Sequence, residues 1–167
     1  TYNDDNLPSD KSLCYRHFQL FIKRLRKRYF GLKIRYYMAG EYGENFGRPH
    51  FHACLFGIDF DDKKLWKRTS ANSMLYTSRD LEILWPFGYS SVGNVTFESA
   101  AYVARYIMKK VTGKNAKDHY TEINPETGEI LTRKPEFTKM SLKPGIGYSW
   151  YKKYTSDVYP NDYVVIR

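Results

Sequence analysis

Apolar positions fall into alternating helical and extended patterns along the chain. From about Leu13 to Tyr29, Phe18, Phe21, Ile22, Leu25 and Tyr29 recur at i, i+3, i+4, i+7 and i+11, one stripe of a helix. Ser9, Asp10 or Ser12 can cap its start, and Gly31 suits its end. Leu32 to Gly40, rich in Ile34, Tyr36, Tyr37 and Met38, reads as a strand, and the apolar run Phe51 to Phe56 after Pro49 as another. Gly43, Asn45 and Gly47 lie between them and suit a hairpin too long for a two-residue turn.

Farther on, Leu65 to Ser73 has no clear period. Leu75 to Thr77 predicts a short strand, Ser78 caps a helix over Arg79 to Leu84, and Trp85 to Gly88 turns into a strand over Tyr89 to Val95. Thr96 is an N-cap for a helix running to Val111, stopped by Gly113, with Ala101, Ala104, Ile107 and Met108 as its apolar stripe. Tyr102, Tyr106, Lys109 and Lys110 occupy a neighbouring stripe. Residues 112–134 turn polar, which predicts an exposed insertion with a hairpin around Asn124 to Gly128 that could contact DNA. Phe137 to Leu142 re-enters the sheet, Ser149 to Tyr154 forms a short helix, and Val158 to Arg167 reads as β-like. Tyr2 is expected at the end of a first strand that is incomplete in this chain. Without a repeat or linker, residues 1–167 read as a single domain.

Charge narrows the class of partner. The chain carries a net charge of +9 with a pI near 9.4, and 16 tyrosines stand among its lysines and arginines. That combination points to a polyanion, nucleic acid first, because aromatic rings beside cations are what single-stranded bases stack on. Solubility and strand-filling tyrosines account for the same composition without DNA. On the first helix, Arg16, Lys23, Arg24, Arg26, Lys27 and Arg28 lie opposite the apolar stripe, where the helix dipole also welcomes those near the C-terminus. No apolar run is long enough to span a bilayer, so no membrane partner is expected. Cys14 and Cys54 lack a CxxC partner, which argues against a structural zinc site.

The chemistry concentrates at Gly47 to Gly57. His50 and His52 sit two apart in a strand and therefore share a face, roughly 7 Å apart at the backbone. If the preceding strand pairs with theirs across the hairpin, Glu41 lies opposite or diagonal to His50, and one carboxylate with two imidazoles forms a three-ligand metal site with open positions. A strand His-x-His also arises when one ring is half-buried and the other is bonded to a backbone carbonyl. On the later helix, two phenols one turn apart beside an ammonium suit phosphoryl transfer, although core packing or base stacking would use the same residues.

Glu41 with His50 and His52, followed by Tyr102 and Tyr106 with Lys109 and Lys110, resembles the HUH endonuclease superfamily of rolling-circle replication initiators. It is most similar to the initiators of microvirus phages, the gokushovirus branch in particular. Thr1 to Pro8 resembles the tail of the family's first strand motif, and Pro144-Gly145-Ile146-Gly147 with Trp150-Tyr151 also resembles that branch.

The resemblance implies an α+β fold, a central antiparallel sheet of HUH, RRM-like ferredoxin type, with helices mainly on one face and the active site on the other. It implies metal ligands Glu41, His50 and His52 for Mn²⁺ or Mg²⁺, nucleophiles Tyr102 and Tyr106, and assistance from Lys109 or Lys110. Arg48, Arg105, Lys23, Arg24 and Lys27 are candidates for DNA contact. The implied activity is nicking and joining of single-stranded DNA at a phage origin through a 5′-phosphotyrosine, in the host bacterial cytoplasm and with host replication machinery. The competing readings are a non-catalytic single-strand-binding module and a relaxase- or transposase-type HUH enzyme.

Overall fold

The computed structural model describes residues 1–69, 72–123 and 127–159. Helix α1 (Tyr15–Arg28) buries the expected stripe of Phe18, Phe21, Ile22 and Leu25. Its N-cap is Cys14, which makes no side-chain capping bond; Ser12 instead accepts from the Lys134 amide. The chain enters strand β1 (Arg35–Tyr42) three residues later than the apolar run begins and returns as strand β2 (Pro49–Phe56). The two pair antiparallel, and Glu41 stands directly across from His50. Gly47 makes the turn with a positive φ of 56° that disfavours any side chain.

Strand β3 (Lys64–Arg68) forms where the sequence has no clear period and pairs with strand β4 (Met74–Thr77). Ser78 caps helix α2 (Arg79–Leu84) by accepting from the Leu81 amide, as predicted. The expected strand over Tyr89 to Val95 shrinks to β5 (Val92–Gly93), because residues 87–89 pair elsewhere. The Asn3 amide donates to the Phe87 carbonyl and the N-terminal amine to the Tyr89 carbonyl. Tyr2 is thus not assigned to a strand, yet its chain is tied edge to edge with residues 87–89. Gly88 is required there, since a Cβ would stand 2.3 Å from the Asn3 nitrogen.

Helix α3 (Phe97–Arg105) opens on a reciprocal capping box between Thr96 and Ser99. It is shorter than predicted: the chain tightens into a 3₁₀ turn over Tyr106–Lys109. Its buried side also differs from the expected stripe. Val103 and Tyr106 are covered, while Ala104 is exposed and Met108 is 81% exposed. Aromatic contacts with β2 rotate the tyrosines inward and the expected stripe outward.

Residues 112–134 hold helix α4 (Ala116–Tyr120) and the hairpin of β6 (Thr121–Ile123) and β7 (Ile130–Thr132), mostly exposed; Asn124 to Glu126, where the hairpin turn was expected, lie outside the described residues. Strand β8 (Phe137–Met140) joins the free edge of β1, giving the antiparallel order β2-β1-β8. Helices α5 (Tyr148–Lys153) and α6 (Thr155–Val158) follow, and the β-like run beyond Tyr159 lies outside the described residues. Among the described residues, no helix is long and apolar enough to cross a membrane.

The result is an α+β arrangement. On one sheet face, Met38, Ile34 and Phe51 pack with α1, Tyr2, Leu84 and Trp85 into the main core. The other face carries Ala39 and Cys54 against Val103 and Tyr106. Strand alternation puts Glu41, His50 and His52 on this second face.

Candidate metal and tyrosine site

Glu41 is 3% exposed, and its Oε1 lies 2.7 Å from His50 Nε2 and 3.1 Å from His52 Nε2. One donor atom from each of the three residues falls within 4.8 Å of the others. His50 Nδ1 is 3.0 Å from the Arg48 carbonyl, which can only accept. That bond places the proton on Nδ1 and, in the neutral ring, turns the Nε2 lone pair toward a carboxylate oxygen. Two acceptors at that distance need a proton or a cation between them. Glu41 Oε2 adds to the case: it is buried, has no partner at hydrogen-bonding angles among the described residues, and faces the Lys109 ammonium at 3.2 Å. The donor set therefore fits a divalent ion, with the Arg48 carbonyl fixing the His50 ring as outer-shell partners do.

Burial would raise the Glu41 carboxyl, but its interactions with His50, His52 and Lys109 outweigh burial and lower it to about 2. The carboxylate is charged at any working pH. Lys109 is the reciprocal case. Partial burial would lower it, yet the carboxylates of Glu44 and Glu41, with Glu44 Oε1 at 3.1 Å, hold its ammonium protonated.

The two tyrosines meet this cluster unequally. The Tyr106 ring stacks on His52 at 4.5 Å between centroids, with the Lys109 ammonium 5.0 Å over its ring. It is 5% exposed, and burial first, then the Tyr102 hydroxyl and the Glu41 carboxylate, push its phenol far above the ordinary range. Tyr102 sits edge-on to Tyr106 at 4.8 Å and to His52 at 5.8 Å, yet is 54% exposed. Both phenols border the triad, and one of them is open to an incoming strand.

The 3₁₀ turn decides between the lysines. In that geometry residues i and i+3 eclipse, so Lys109 lies over Tyr106 and reaches Glu41, whereas Lys110 is exposed and is not brought to the triad. Arg105 is exposed as well. The Arg48 guanidinium is taken up by the Tyr2 carbonyl at 3.1 Å and Asp4 at 2.5 Å, so it braces the N-terminal segment. Lys23, Arg24 and Lys27 belong to α1, across the sheet from the triad, with Arg24 packed over the Phe87 ring. Glu44, the second carboxylate on Lys109, escaped the sequence reading; its position in the β1–β2 turn was the available signal.

The chain has clear relatives among known proteins. The profile of the Replication-associated protein ORF2 family matches residues 1–111. The chain is 36% identical to Replication-associated protein VP4 of Bdellovibrio phage phiMH2K and 31% identical to Replication-associated protein ORF2 of Spiroplasma virus 4, each over 99% of this chain and 50% of the relative. It is 38% identical to Replication-associated protein ORF4 of Chlamydia phage 1 over 66% of this chain and 29% of that protein. The chain thus spans half the length of the first two relatives. No solved structure matches it.

Proposed function

Because the chain belongs to the Replication-associated protein ORF2 family, we propose that it is the metal-dependent, single-stranded DNA nicking and joining unit of a phage rolling-circle replication initiator. One observation carries the reading. A buried carboxylate and two imidazoles converge within 4.8 Å, on a sheet face that also holds a pair of tyrosines and an ammonium.

Glu41, His50 and His52 hold the ion, and their mixed oxygen and nitrogen donors suit Mn²⁺ better than Mg²⁺, which prefers all-oxygen shells. When bound, the ion polarises the scissile phosphate and offsets its charge. Tyr102, the exposed phenol, attacks first. Its oxygen bonds to phosphorus, the bond from phosphorus to the 3′ oxygen breaks, and the phenol proton ends on the released 3′ oxygen. The products are a 5′-phosphotyrosine and a 3′-hydroxyl that host replication machinery extends in the bacterial cytoplasm. Tyr106, one turn on and against the same triad, serves the second transfer that joins the completed strand. Lys109 supplies positive charge where the transition state gains negative charge.

The test is a denaturing gel of the chain with single-stranded oligonucleotides tiled across the cognate phage origin, in Mn²⁺ or chelator. A band shift that needs the metal, survives denaturant, falls strongly in Tyr102→Phe and vanishes in the Tyr102→Phe, Tyr106→Phe double variant is expected. Binding of every oligonucleotide without any adduct would replace the nickase with a stacking module.

A further inference from the structure

At the end of β1 and β2 remote from Glu41 lies a pocket of about 290 Å³, lined by Lys33, Arg35, Phe56, Ile146, Tyr148 and Trp150. Arg35 pairs with Phe56 across the strands, and alternation places both on the face that carries Glu41, His50 and His52. Four residues of β2 separate His52 from Phe56, roughly 13 Å of strand. A few nucleotides of extended single strand cover that distance.

The pocket is held open by its own bonds. The Arg35 guanidinium donates to the carbonyls of Ser141 and Pro144, which fixes the loop that forms the far wall. That loop delivers the chain into α5, where the Trp150 ring leans on Tyr154 at 5.2 Å. The rings of Phe56, Tyr148 and Trp150 nevertheless remain about half exposed. Lys33 is exposed at the rim, and among the described residues no acidic side chain lines the pocket.

Half-exposed aromatic faces beside unopposed cations favour a planar, anionic ligand over an apolar peptide. The volume lies at the lower edge of the roughly 300–1,000 Å³ of small-molecule sites, which suits one base rather than a long ligand. We infer that this pocket receives an unstacked base of the single strand whose phosphate reaches the Glu41, His50 and His52 triad, with Trp150 and Tyr148 stacking on the base and Lys33 meeting its phosphate. The strand's path to the triad rests on the nicking function proposed above; the base-binding pocket stands on its own lining. Such a pocket sets the register of the strand, and with it the phosphate that is cut.

The test uses the chain with a fluorescein-labelled oligothymidylate of about ten nucleotides, followed by anisotropy in chelator so that only binding is read. Trp150→Ala weakens binding about tenfold, while Trp150→Phe, which keeps a π-face, retains most of it. Lys33→Gln, on an exposed side chain that no core packing uses, weakens binding and lowers the salt slope by about one. Adduct formation with the tiled origin oligonucleotides in Mn²⁺ is scored in parallel. Oligothymidylate binding that is absent in the wild type, or the same in wild type, Trp150→Ala and Lys33→Gln, overturns the pocket, and an adduct that still forms then leaves the nickase standing. No adduct from any oligonucleotide, with the tenfold Trp150→Ala loss intact, overturns the nickase and keeps the pocket.

Discussion

Met38 and Ala39 are neighbours in β1, both closed to solvent, yet they look onto unlike chemistry. Met38 faces α1 and a continuous apolar cluster that includes Phe18, Phe21, Leu25 and Trp85. Ala39 faces a smaller group of Cys54, Val103 and Tyr106, with a buried carboxylate two residues along the strand. The first face stabilises by removing large apolar surfaces from water. The second keeps a charge buried, which costs free energy unless partners or an ion compensate it. One sheet therefore divides its work, with stability from the α1 side and chemistry from the α3 side.

The sharpest way to break this comparison is to damage the first face. Phe18 is buried against Phe21, Tyr36 and Phe51. Phe18→Ala removes that ring from a packed core and is expected to cost about 3–5 kcal/mol of stability, read as a lower denaturation midpoint. Adduct formation per folded molecule stays near that of the wild type at a temperature where both remain folded. A specific loss of nicking with an unchanged midpoint would mean that the α1 side takes part in the chemistry.

Damage to the second face should show the opposite pattern. Glu41→Gln preserves shape and removes the charge that holds the two imidazoles and Lys109 together. Adduct formation in Mn²⁺ is expected to fall about 100-fold or more, on the order of 2.7 kcal/mol in barrier, with a smaller change in midpoint than Phe18→Ala gives. Excess Mn²⁺ that restored the rate fully would mark Glu41 as an affinity ligand only. A midpoint loss as large as that of Phe18→Ala would erase the distinction between the faces.

How much of each face was legible follows from the same physics. The α1 stripe has a regular period, so its four buried residues could be read from spacing. The triad was legible because a two-residue period and a hairpin fix strand faces, and the observed register puts Glu41 opposite His50. The tyrosine segment was read in the wrong rotation. A uniform 3.6-residue period cannot anticipate a change to 3₁₀ at Tyr106, and that change selects Lys109 over Lys110. Arg48 could be named from sequence but not assigned to the Tyr2 carbonyl and Asp4, since those contacts span more than 40 residues and depend on tertiary placement.

A third difference between the faces concerns what carries the chain away from the tyrosines. On the α3 side the connection to β8 relies on a polar hub: the buried Tyr120 hydroxyl accepts from the Val111 amide at 2.9 Å and donates to buried Glu136 at 2.5 Å. Tyr120→Phe leaves both groups without that partner, at an expected cost of about 1–2 kcal/mol, the smallest of the three effects. Its pH dependence identifies the cause. Burial first, then the bond to Glu136, push the Tyr120 phenol up to about 12 from an ordinary 10.0. A group raised in the folded state contributes fully below its unfolded value, so the gap between wild type and Tyr120→Phe should be constant up to about pH 10 and close as pH rises toward 12. Denaturant midpoints of both proteins across that range measure it. A gap that persists undiminished at the top of the range would trace the loss to packing of the ring, and the α3 side would then be held by the same apolar forces as the α1 side.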